Sequence, residues 1–491
     1  MKKSILSLAV AAGVSTTAMA QMHINHQGTG EALVYPLYNA QNGNDTYISV
    51  VNTTGTAKAV KVRVLEAENS QEVIDFNLYM SPEDHFSFAI TATAEGAKLV
   101  TADTSCTVPA IPAGGVEFVN FQYDEDKGDD FDNTSLSRTQ VGHIEVIEMG
   151  QIAFDEDEDS VYQATLHGAN GMPANCAAHT ALWSIVEGTA GAWKAAPLGE
   201  AEAGFVTGAG SWLGGGLYGY GQIVNVAEGT AFGYDAIAID GLVDPSNDGA
   251  ALHYPPGDID PNFTNPRLNT SYMAEAQSGD AGASVLAVGA LFQSTKLEND
   301  YVIDPTINAL TDWVITQPTK SFHINTTPVI PPYNVAWNKQ NACEPVSMET
   351  WDREEAYVPP PTPGSQPPQF SPAPVVEDPE TPNTDIPLCF ETTIVQFGSS
   401  SAIGAADVVI GINDTLDYTE GWAKMAMDEG SIMTDDDDAD WNARSIDGLV
   451  GLPVTGFAVI KYTNSSANEA GALANYAVST EHKSHTMVSG N

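Results

Sequence analysis

Apolar and polar residues alternate along residues 46–90, the clearest pattern in this chain. Side chains two positions apart share one side of a β-strand, so the alternation gives each strand an apolar and a polar face. Residues 52–56, between the two alternating runs, have turn chemistry. The pattern predicts a hairpin with one face toward a core and the other toward water. The apolar positions are Ile48, Val50, Val60, Val62 and Val64.

The same stretch continues into further strands. Residues 73–80 run up to Ser81-Pro82, and residues 85–88 begin another strand. Short strands separated by turns predict an immunoglobulin-like antiparallel β-sandwich at the N-terminus. Later apolar runs, such as residues 392–397 and 457–462, predict further β-rich domains, so the fold class is mainly β. We expect a few short helices, one starting at Asp304 and one within residues 418–427.

Composition divides the chain into five parts. Residues 1–20 form a signal peptide, residues 21–165 the immunoglobulin-like domain, and residues 166–345 a β domain rich in glycine and aromatic residues. Residues 346–388 are a proline-rich linker or projecting loop, and we prefer the loop because cysteines flank it. Residues 389–491 form a C-terminal β segment that we expect to pack on the preceding domain.

Residues 50–84, VVNTTGTAKAVKVRVLEAENSQEVIDFNLYMSPED, resemble a family of secreted or cell-surface proteins of Gram-negative bacteria. Further stretches fit the same pattern: GEALVYP at 30–36, GHIEVIEMG at 142–150, IVNVAEGT at 223–230, TDWVITQPTK at 311–320 and GLPVTG at 451–456. The resemblance therefore spans most of the chain after residue 20. It implies export and one shared architecture, and it carries over no catalytic or binding residue.

The N-terminus has the three parts of a signal peptide. Lys2 and Lys3 precede an apolar stretch at residues 5–14, and Ala18-Met19-Ala20 is a small-residue cleavage site. We therefore expect a mature chain that begins at Gln21 and is secreted or displayed on the outer cell surface, with the periplasm as the alternative. No later stretch approaches the roughly 20 apolar residues of a membrane helix, so we expect no integral membrane segment after signal removal.

The charge of the chain is strongly negative. The formal net charge is −46, and the loss of Lys2 and Lys3 with the signal peptide would take it to −48. Such a charge opposes binding to nucleic acid and favours solubility. Because 43% of the residues are hydrophobic, the chain can still bury a large core.

Four cysteines follow the signal peptide: Cys106, Cys176, Cys343 and Cys389. An even number of cysteines in an exported protein indicates disulfides, because the exterior is oxidising. Three pairings are possible. We favour Cys106 with Cys176 and Cys343 with Cys389. The second bridge would close a loop that holds the proline-rich run.

Acidic residues cluster between positions 124 and 132. Carboxylates in a glycine-containing loop suggest calcium, which takes six to eight oxygen ligands. The candidate ligands are Asp124, Asp126, Asp130 and Asp132, although the spacing does not fit an EF-hand. A solvated acidic loop without bound metal is the alternative interpretation.

Copper is a second candidate metal, at the N-terminus that signal cleavage would create. A free amine, two deprotonated amides and the imidazole of His23, the third residue, can bind Cu(II) in its preferred square-planar geometry. Chance placement of His23 is the alternative, and cyclisation of Gln21 would remove the amine.

Glycine and aromatic residues are concentrated between Trp183 and Val243. The third glycine of the dinucleotide fingerprint is absent, so the glycines do not indicate a nucleotide site. Tight turns and strand bulges explain the pattern. Alternatively, the tyrosines and tryptophans line a groove for a glycan or a protein partner.

No catalytic motif accompanies this architecture. The sequence has no Gly-x-Ser-x-Gly and no His-Glu-x-x-His, and its histidines are scattered. We therefore expect an acidic structural or adhesive cell-surface protein without catalytic activity, which could self-associate through its sheet edges. The alternatives are a glycan- or metal-binding protein, with calcium as the candidate cofactor, and an exported hydrolase.

We expect calcium or magnesium to raise the melting temperature more than sodium does at matched ionic strength, because a divalent ion relieves repulsion between carboxylates. An ion at about a hundred times its Kd adds about 2.7 kcal/mol to the free energy of unfolding. A melting series on the wild type and on the double variant Asp126→Asn, Asp130→Asn tests this. Equal shifts in all three salts, or a calcium shift that survives the double substitution, would mean an ordinary solvated loop.

Overall fold

The computed structural model describes residues 21–124, 126, 131–186, 188–195, 204–206, 214–243, 252–270, 281–353, 357–358, 385–412, 418–427, 445–446, 449–464 and 474–488. The predicted signal peptide, Asp130 and most of the proline-rich run lie outside these residues. Over the described residues the protein is mainly β, as predicted, with several antiparallel sheets and a few short helices. The immunoglobulin-like arrangement stays a prediction.

Two sheets form the N-terminal half of the structure. In spatial order, the first sheet contains His23–Ile24, Ile237–Asp240, Ala32–Asn39, Val141–Ile152, Ala57–Glu66, Glu72–Met80 and Cys106–Val108. The second sheet contains Thr230–Asp235, Leu217–Asn225, Asn44–Asn52, His85–Ala92, Ala97–Val100 and Val116–Glu117. The predicted apolar positions, including Ile48 and Val62, join one core cluster between the two sheets, where each is at most 1% exposed.

Two further sheets follow. The third contains Tyr357–Val358, Glu344–Asp352, Glu420–Ala426, Lys296–Val302 and Lys483–His485, and Asp385–Leu388 also pairs with Glu344–Asp352. The fourth contains Val409–Gly411, Thr392–Phe397, Ala309–Thr316, Thr455–Tyr462 and Tyr476–Glu481. Among the strand pairs of the described residues, one is parallel, that of Val409–Gly411 with Thr392–Phe397.

The fourth sheet is shared between two cores. Along strand Ala309–Thr316, Trp313 and Ile315 pack in a core with the third sheet, whereas Val314 packs in the core of the first two sheets. Alternate side chains point to opposite sides of a strand, so a strand that is buried on both sides must be apolar at consecutive positions. The run Trp313-Val314-Ile315 meets this requirement.

The helices are short. They are Val161–Thr165, Cys176–Trp183, Ala192–Ala195, Ala281–Phe292 and Lys320–Ile324, with 3-10 turns at Gln41–Gly43 and Leu136–Gln140. Across the described ranges, none has the length and apolar composition that spanning a membrane would require.

The predicted hairpin within residues 46–66 is wrong. Strand Asn44–Asn52 belongs to the second sheet, and strand Ala57–Glu66 belongs to the first. The Asn52 side-chain amide donates hydrogen bonds to the carbonyl oxygens of Thr56 and Ser81, at 2.7 and 2.9 Å. The turn therefore carries the chain from one sheet across to the other, a path that turn chemistry allows as readily as a hairpin.

The predicted water-facing side of strand Ala57–Glu66 is buried. Lys61 Nζ donates to Asp75 Oδ2 at 2.6 Å and to the carbonyl oxygens of Pro255 and Asp258 at 2.9 and 3.0 Å. Arg63 is 5% exposed and forms ion pairs with two carboxylates of neighbouring strands. The prediction of a solvated face fails here because later segments of the chain cover the first sheet.

Strand pairing crosses the predicted domain boundaries. Strands Leu217–Asn225 and Ile237–Asp240 follow residue 165, yet they pair with N-terminal strands of the second and first sheets. Strand Thr392–Phe397 likewise pairs with Ala309–Thr316 across the proline-rich run. Tyr357–Val358 and Asp385–Leu388 both pair with Glu344–Asp352 in the third sheet, so both ends of the proline-rich run lie in one sheet.

Both predicted disulfides are confirmed. Cys106 pairs with Cys176, and Cys343 pairs with Cys389. The first bridge joins an edge strand of the first sheet to helix Cys176–Trp183, and the second lies beside the pairing of Glu344 with Leu388. The two bridges thus tie peripheral segments to the first and third sheets.

Two predicted helices are replaced by other structure. The Asp304 side chain does cap a turn, accepting a hydrogen bond from Thr306 N at 2.7 Å, but the chain enters strand Ala309–Thr316 at once. A positive φ of 48° at Asn308 ends the turn. Residues 420–426 form a strand because a neighbouring strand pairs with them on each side, Lys296–Val302 and Glu344–Asp352.

A buried carboxyl group lies where the fourth sheet meets the first. Glu391 accepts a hydrogen bond from Ser321 N, and its backbone N donates to Glu68 O at 3.4 Å. Its Oε2 atom has no hydrogen-bond partner among the described residues. Burial raises the pKa of Glu391 to about 8, because removal from water disfavours the charged form.

We expect the free energy of unfolding to fall as the pH rises from 5 to 9. The pKa of Glu391 is higher in the folded state than in the unfolded state, so its contribution is complete at acid pH and is lost as the pH rises through about 8. In the Glu391→Gln variant, the decrease in the free energy of unfolding between pH 5 and 9 should be smaller by a few kcal/mol, since each unit by which folding raises the Glu391 pKa corresponds to about 1.4 kcal/mol. Urea unfolding across this pH range measures it, with exposed Glu95→Gln as the control. A fall of equal size in both variants would contradict the assignment.

Candidate functional site

The outward side of the second sheet carries exposed tyrosine rings. Tyr47, Tyr218 and Tyr220 are 49, 38 and 40% exposed. Strand Leu217–Asn225 alternates strictly at this point, since Leu217, Gly219, Gly221 and Ile223 are buried whereas Tyr218, Tyr220 and Gln222 are exposed. We call the outward side chains Tyr47, Ser49, His85, Ser87, Tyr218, Tyr220 and Gln222 the tyrosine face.

The glycines between these tyrosines make room for two rings of the core. A Cβ atom on Gly219 would lie 1.9 Å from Tyr35 Oη, and one on Gly221 would lie 2.2 Å from the Tyr234 ring. Tyr35 Oη donates to Ser49 O at 2.7 Å, and the Tyr234 hydroxyl donates to Leu37 O. The Gly-Tyr alternation therefore follows from the packing beneath the sheet: large rings lie below the glycines, and the remaining rings point outward.

Strand register brings the outward side chains together. Tyr220 lies opposite Ser49, which lies opposite Ser87. Tyr47 lies opposite Gln222 on the neighbouring strand. A depression of about 630 Å³ opens among these side chains and extends past His85 to residues 100–102. The face therefore combines ring surfaces with hydroxyl, amide and imidazole groups.

A second depression continues the first toward the fourth sheet. It has a volume of about 430 Å³, shares Tyr220 and Gln222 with the first, and ends at Asp235, Ser479 and Glu481. The Ser479 hydroxyl donates to Gly233 O, and the Tyr234 ring stacks on Phe457 with ring centroids 4.7 Å apart. Together the two depressions run across the sheet from strand Ala97–Val100 to strand Thr230–Asp235. This distance is roughly 19 Å, because neighbouring strands lie about 4.8 Å apart.

Trp183 and Trp193, the described tryptophans of the glycine- and aromatic-rich segment, do not share this face. Trp183 is 7% exposed and Trp193 is fully buried. Trp183 Nε1 donates to Tyr79 Oη at 2.8 Å, and the Trp193 ring stacks on the Tyr79 ring. Of the described aromatic residues in that segment, two tyrosines reach the surface and these two tryptophans belong to the core.

Buried histidines are neutral parts of the core. Burial lowers the pKa of His143 to about 3, with the Arg63 charge as the second cause. Burial also lowers the pKa of His179 to about 4, and its Nε2 lies 2.9 Å from the Thr165 hydroxyl. These histidines take no part in the tyrosine face.

Of the predicted calcium ligands, the described Asp124, Asp126 and Asp132 lie apart from the tyrosine face. Asp126 N donates to Asp124 Oδ1 at 3.1 Å, and Asp132 Oδ2 accepts from Gln340 Nε2 at 2.7 Å. In the described part of the chain, no group of three or more His, Cys, Asp or Glu side chains is placed to hold a metal ion. Because Asp130 is outside the described residues, the calcium site stays a prediction.

The predicted copper ligand His23 begins strand His23–Ile24 at the edge of the first sheet and is exposed. Its Nδ1 atom lies 2.9 Å from Gln21 O. The copper site stays a prediction.

Sequence reasoning identified part of the tyrosine face. The alternation of glycine and tyrosine at residues 218–221 indicated a possible groove, but Tyr47, His85 and Gln222 drew no attention. Strand order alone brings these three residues beside Tyr220. No family model, curated protein or solved structure matches this chain.

We expect Gly219→Ala to lower the free energy of unfolding by about 1–3 kcal/mol, because the added methyl group would overlap Tyr35 Oη and Ser49 O. Gly233→Ala on the adjacent strand is the matched control, since the nearest atom to its added Cβ is 3.4 Å away. Urea unfolding of both variants measures the difference. Equal stabilities would show that Tyr35 moves aside at no cost.

Proposed function

We propose that this chain is an exported, non-catalytic glycan-binding protein that acts as an adhesin at the cell surface or outside the cell. The observation that carries the proposal is the tyrosine face, three exposed rings among polar side chains on an uncovered side of a sheet. Export rests on the signal-peptide pattern and on the resemblance to secreted and cell-surface proteins.

The chemistry of the face suits a sugar ring. A pyranose has an apolar C–H surface that stacks on an aromatic ring, and its hydroxyl groups both donate and accept hydrogen bonds. Tyr47 and Tyr220 supply ring surface, and Gln222 and His85 supply polar groups beside them. The two joined depressions are longer than a single sugar, so the proposed ligand is an oligosaccharide or polysaccharide chain.

Charge narrows the class of glycan. A net charge of −48 after signal removal repels anionic polymers. Asp235 and Glu481 line the second depression and add negative charge at that end. The proposed ligand is therefore neutral or carries amino groups.

Self-assembly by strand addition has less support. An added strand needs a long free edge, yet the edge strands of the first sheet have two and three residues, His23–Ile24 and Cys106–Val108. At one edge of the second sheet, Thr230–Asp235 lies against Tyr476–Glu481, joined by the Ser479–Gly233 hydrogen bond. We therefore prefer adhesion through a bound glycan to adhesion through shared strands.

Hydrolysis of the glycan also has less support. Asp235 and Glu481 line one depression, as the two carboxyl groups of a glycosidase would. Both are exposed to water, however, whereas the acid of such a pair is commonly buried so that it keeps its proton near neutral pH. Binding without cleavage is therefore the proposed outcome.

We expect Tyr47→Ala and Tyr220→Ala each to weaken glycan binding about 3- to 10-fold, because each of these rings lines the first depression and supplies about 1 kcal/mol of stacking. Affinity electrophoresis through gels that contain neutral polysaccharides finds a ligand. Calorimetry with a matching oligosaccharide then measures the affinity.

The matched control is Tyr476→Ala, which removes a tyrosine that is 58% exposed and does not line either depression. It should bind as the wild type does. If no polysaccharide retards the protein in the gel, or if all three variants lose the same glycan affinity, the tyrosine face is not the glycan site.

A further inference from the structure

A separate cavity lies on the outward side of the first sheet. Its volume is about 310 Å³, and it is enclosed between the sheet, residues 259–262 and residues 318–326. It shares no lining residue with the two depressions of the tyrosine face. A ligand here would therefore be independent of the proposed glycan.

Two buried groups of opposite charge form one wall of this cavity. Arg63 is 5% exposed and Glu145 is 1% exposed, and both line the cavity. Arg63 Nε donates to Glu72 Oε2 at 2.9 Å, and Nη1 donates to Glu145 Oε2. A guanidinium has five N–H donors, and Nη2 donates to none of the described residues.

Glu145 also has bonding capacity left. Its Oε1 atom makes no hydrogen bond within the described residues, and His143 Nε2 lies 4.0 Å from it. Burial lowers the pKa of that histidine to about 3, so the imidazole is neutral and does not compensate the carboxylate. One acceptor and several donors thus lie side by side on the cavity wall.

The remaining lining is apolar with a polar rim. Leu65, Phe322 and Ile259 contribute apolar surface. Asn325 and Ser70 lie at the rim, and the Ser70 hydroxyl is buried without a hydrogen-bond partner among the described residues.

We propose that this cavity binds a free α-amino acid with an apolar side chain. The α-carboxylate accepts from Arg63 Nη2, the α-ammonium donates to Glu145 Oε1, and the side chain lies against Leu65 and Phe322. The volume is at the lower end of the roughly 300–1,000 Å³ found for small-molecule sites, which suits a ligand of this size.

Ligands with a single charge fit less well. An inorganic anion would approach Arg63 between two carboxylates, Glu72 and Glu145, which repel it. A simple cation would face the guanidinium. A zwitterion meets one opposite charge at each end, so both of its charged groups can be paired as they leave water.

Calorimetry on the mature full-length chain tests the proposal, first with the twenty L-amino acids. For the tightest binder, the N-acetyl derivative lacks the ammonium and the decarboxylated amine lacks the carboxylate. Each should bind at least tenfold more weakly, because each loses a charge-assisted hydrogen bond. No binding of any amino acid, or equal binding of the amino acid and its two derivatives, would overturn the proposal.

Two surface variants show where the amino acid binds without disturbing the buried ion pairs. Ile259→Trp enlarges a residue that is 52% exposed at the cavity and should reduce affinity at least tenfold by filling its mouth. Ile307→Trp is the matched control, since Ile307 is 48% exposed and does not line the cavity. Equal affinity in the two variants would place the amino acid elsewhere and overturn the assignment.

Discussion

Both sides of the central strand Ala57–Glu66 are buried, and much of the structure depends on this constraint. Its valines lie in the core between the first two sheets, whereas Lys61 and Arg63 point to the opposite side and are covered there. A buried charge is costly unless it is paired and hydrogen-bonded. Neighbouring strands supply the carboxylates, and residues 255–258 supply carbonyl oxygens. The first sheet and the segments over it therefore stabilise one another.

The fourth sheet extends this interdependence to the C-terminal part. Its strand Ala309–Thr316 is apolar at consecutive positions because each side belongs to a different core. The outward side of the second sheet differs, since tyrosine, histidine and glutamine side chains there stay in contact with water. Exposed rings contribute little to stability, and contact with a ligand is a physical reason for them to be there. The proposed glycan site follows from this contrast between covered and uncovered sheet sides.

Several features could be predicted because their cause is local. The period of two in residues 46–90 identified the strands. For the glycine- and aromatic-rich segment, turns and bulges were the first interpretation, and a groove lined by aromatic rings was only the alternative. The predictions of the hairpin and of the two helices were wrong because distant parts of the chain decide these structures. A turn such as residues 52–56 has the same chemistry whether the chain pairs with itself or crosses to another sheet. Likewise, residues 420–426 became a strand because partners on both sides took up their backbone hydrogen bonds.

The amino-acid sequence is enough to predict that the chain is mainly β, which side of strand Ala57–Glu66 is apolar, and that four cysteines are available to pair. Tertiary structure alone decided that the polar side of that strand is also buried, and that Tyr47, His85 and Gln222 join Tyr220. It also decided that Arg63 and Glu145 line a cavity. Periodicity along a strand shows which side chains share a face. What lies against that face depends on strands and loops that are distant in sequence, and their approach is set by the packing of the whole chain.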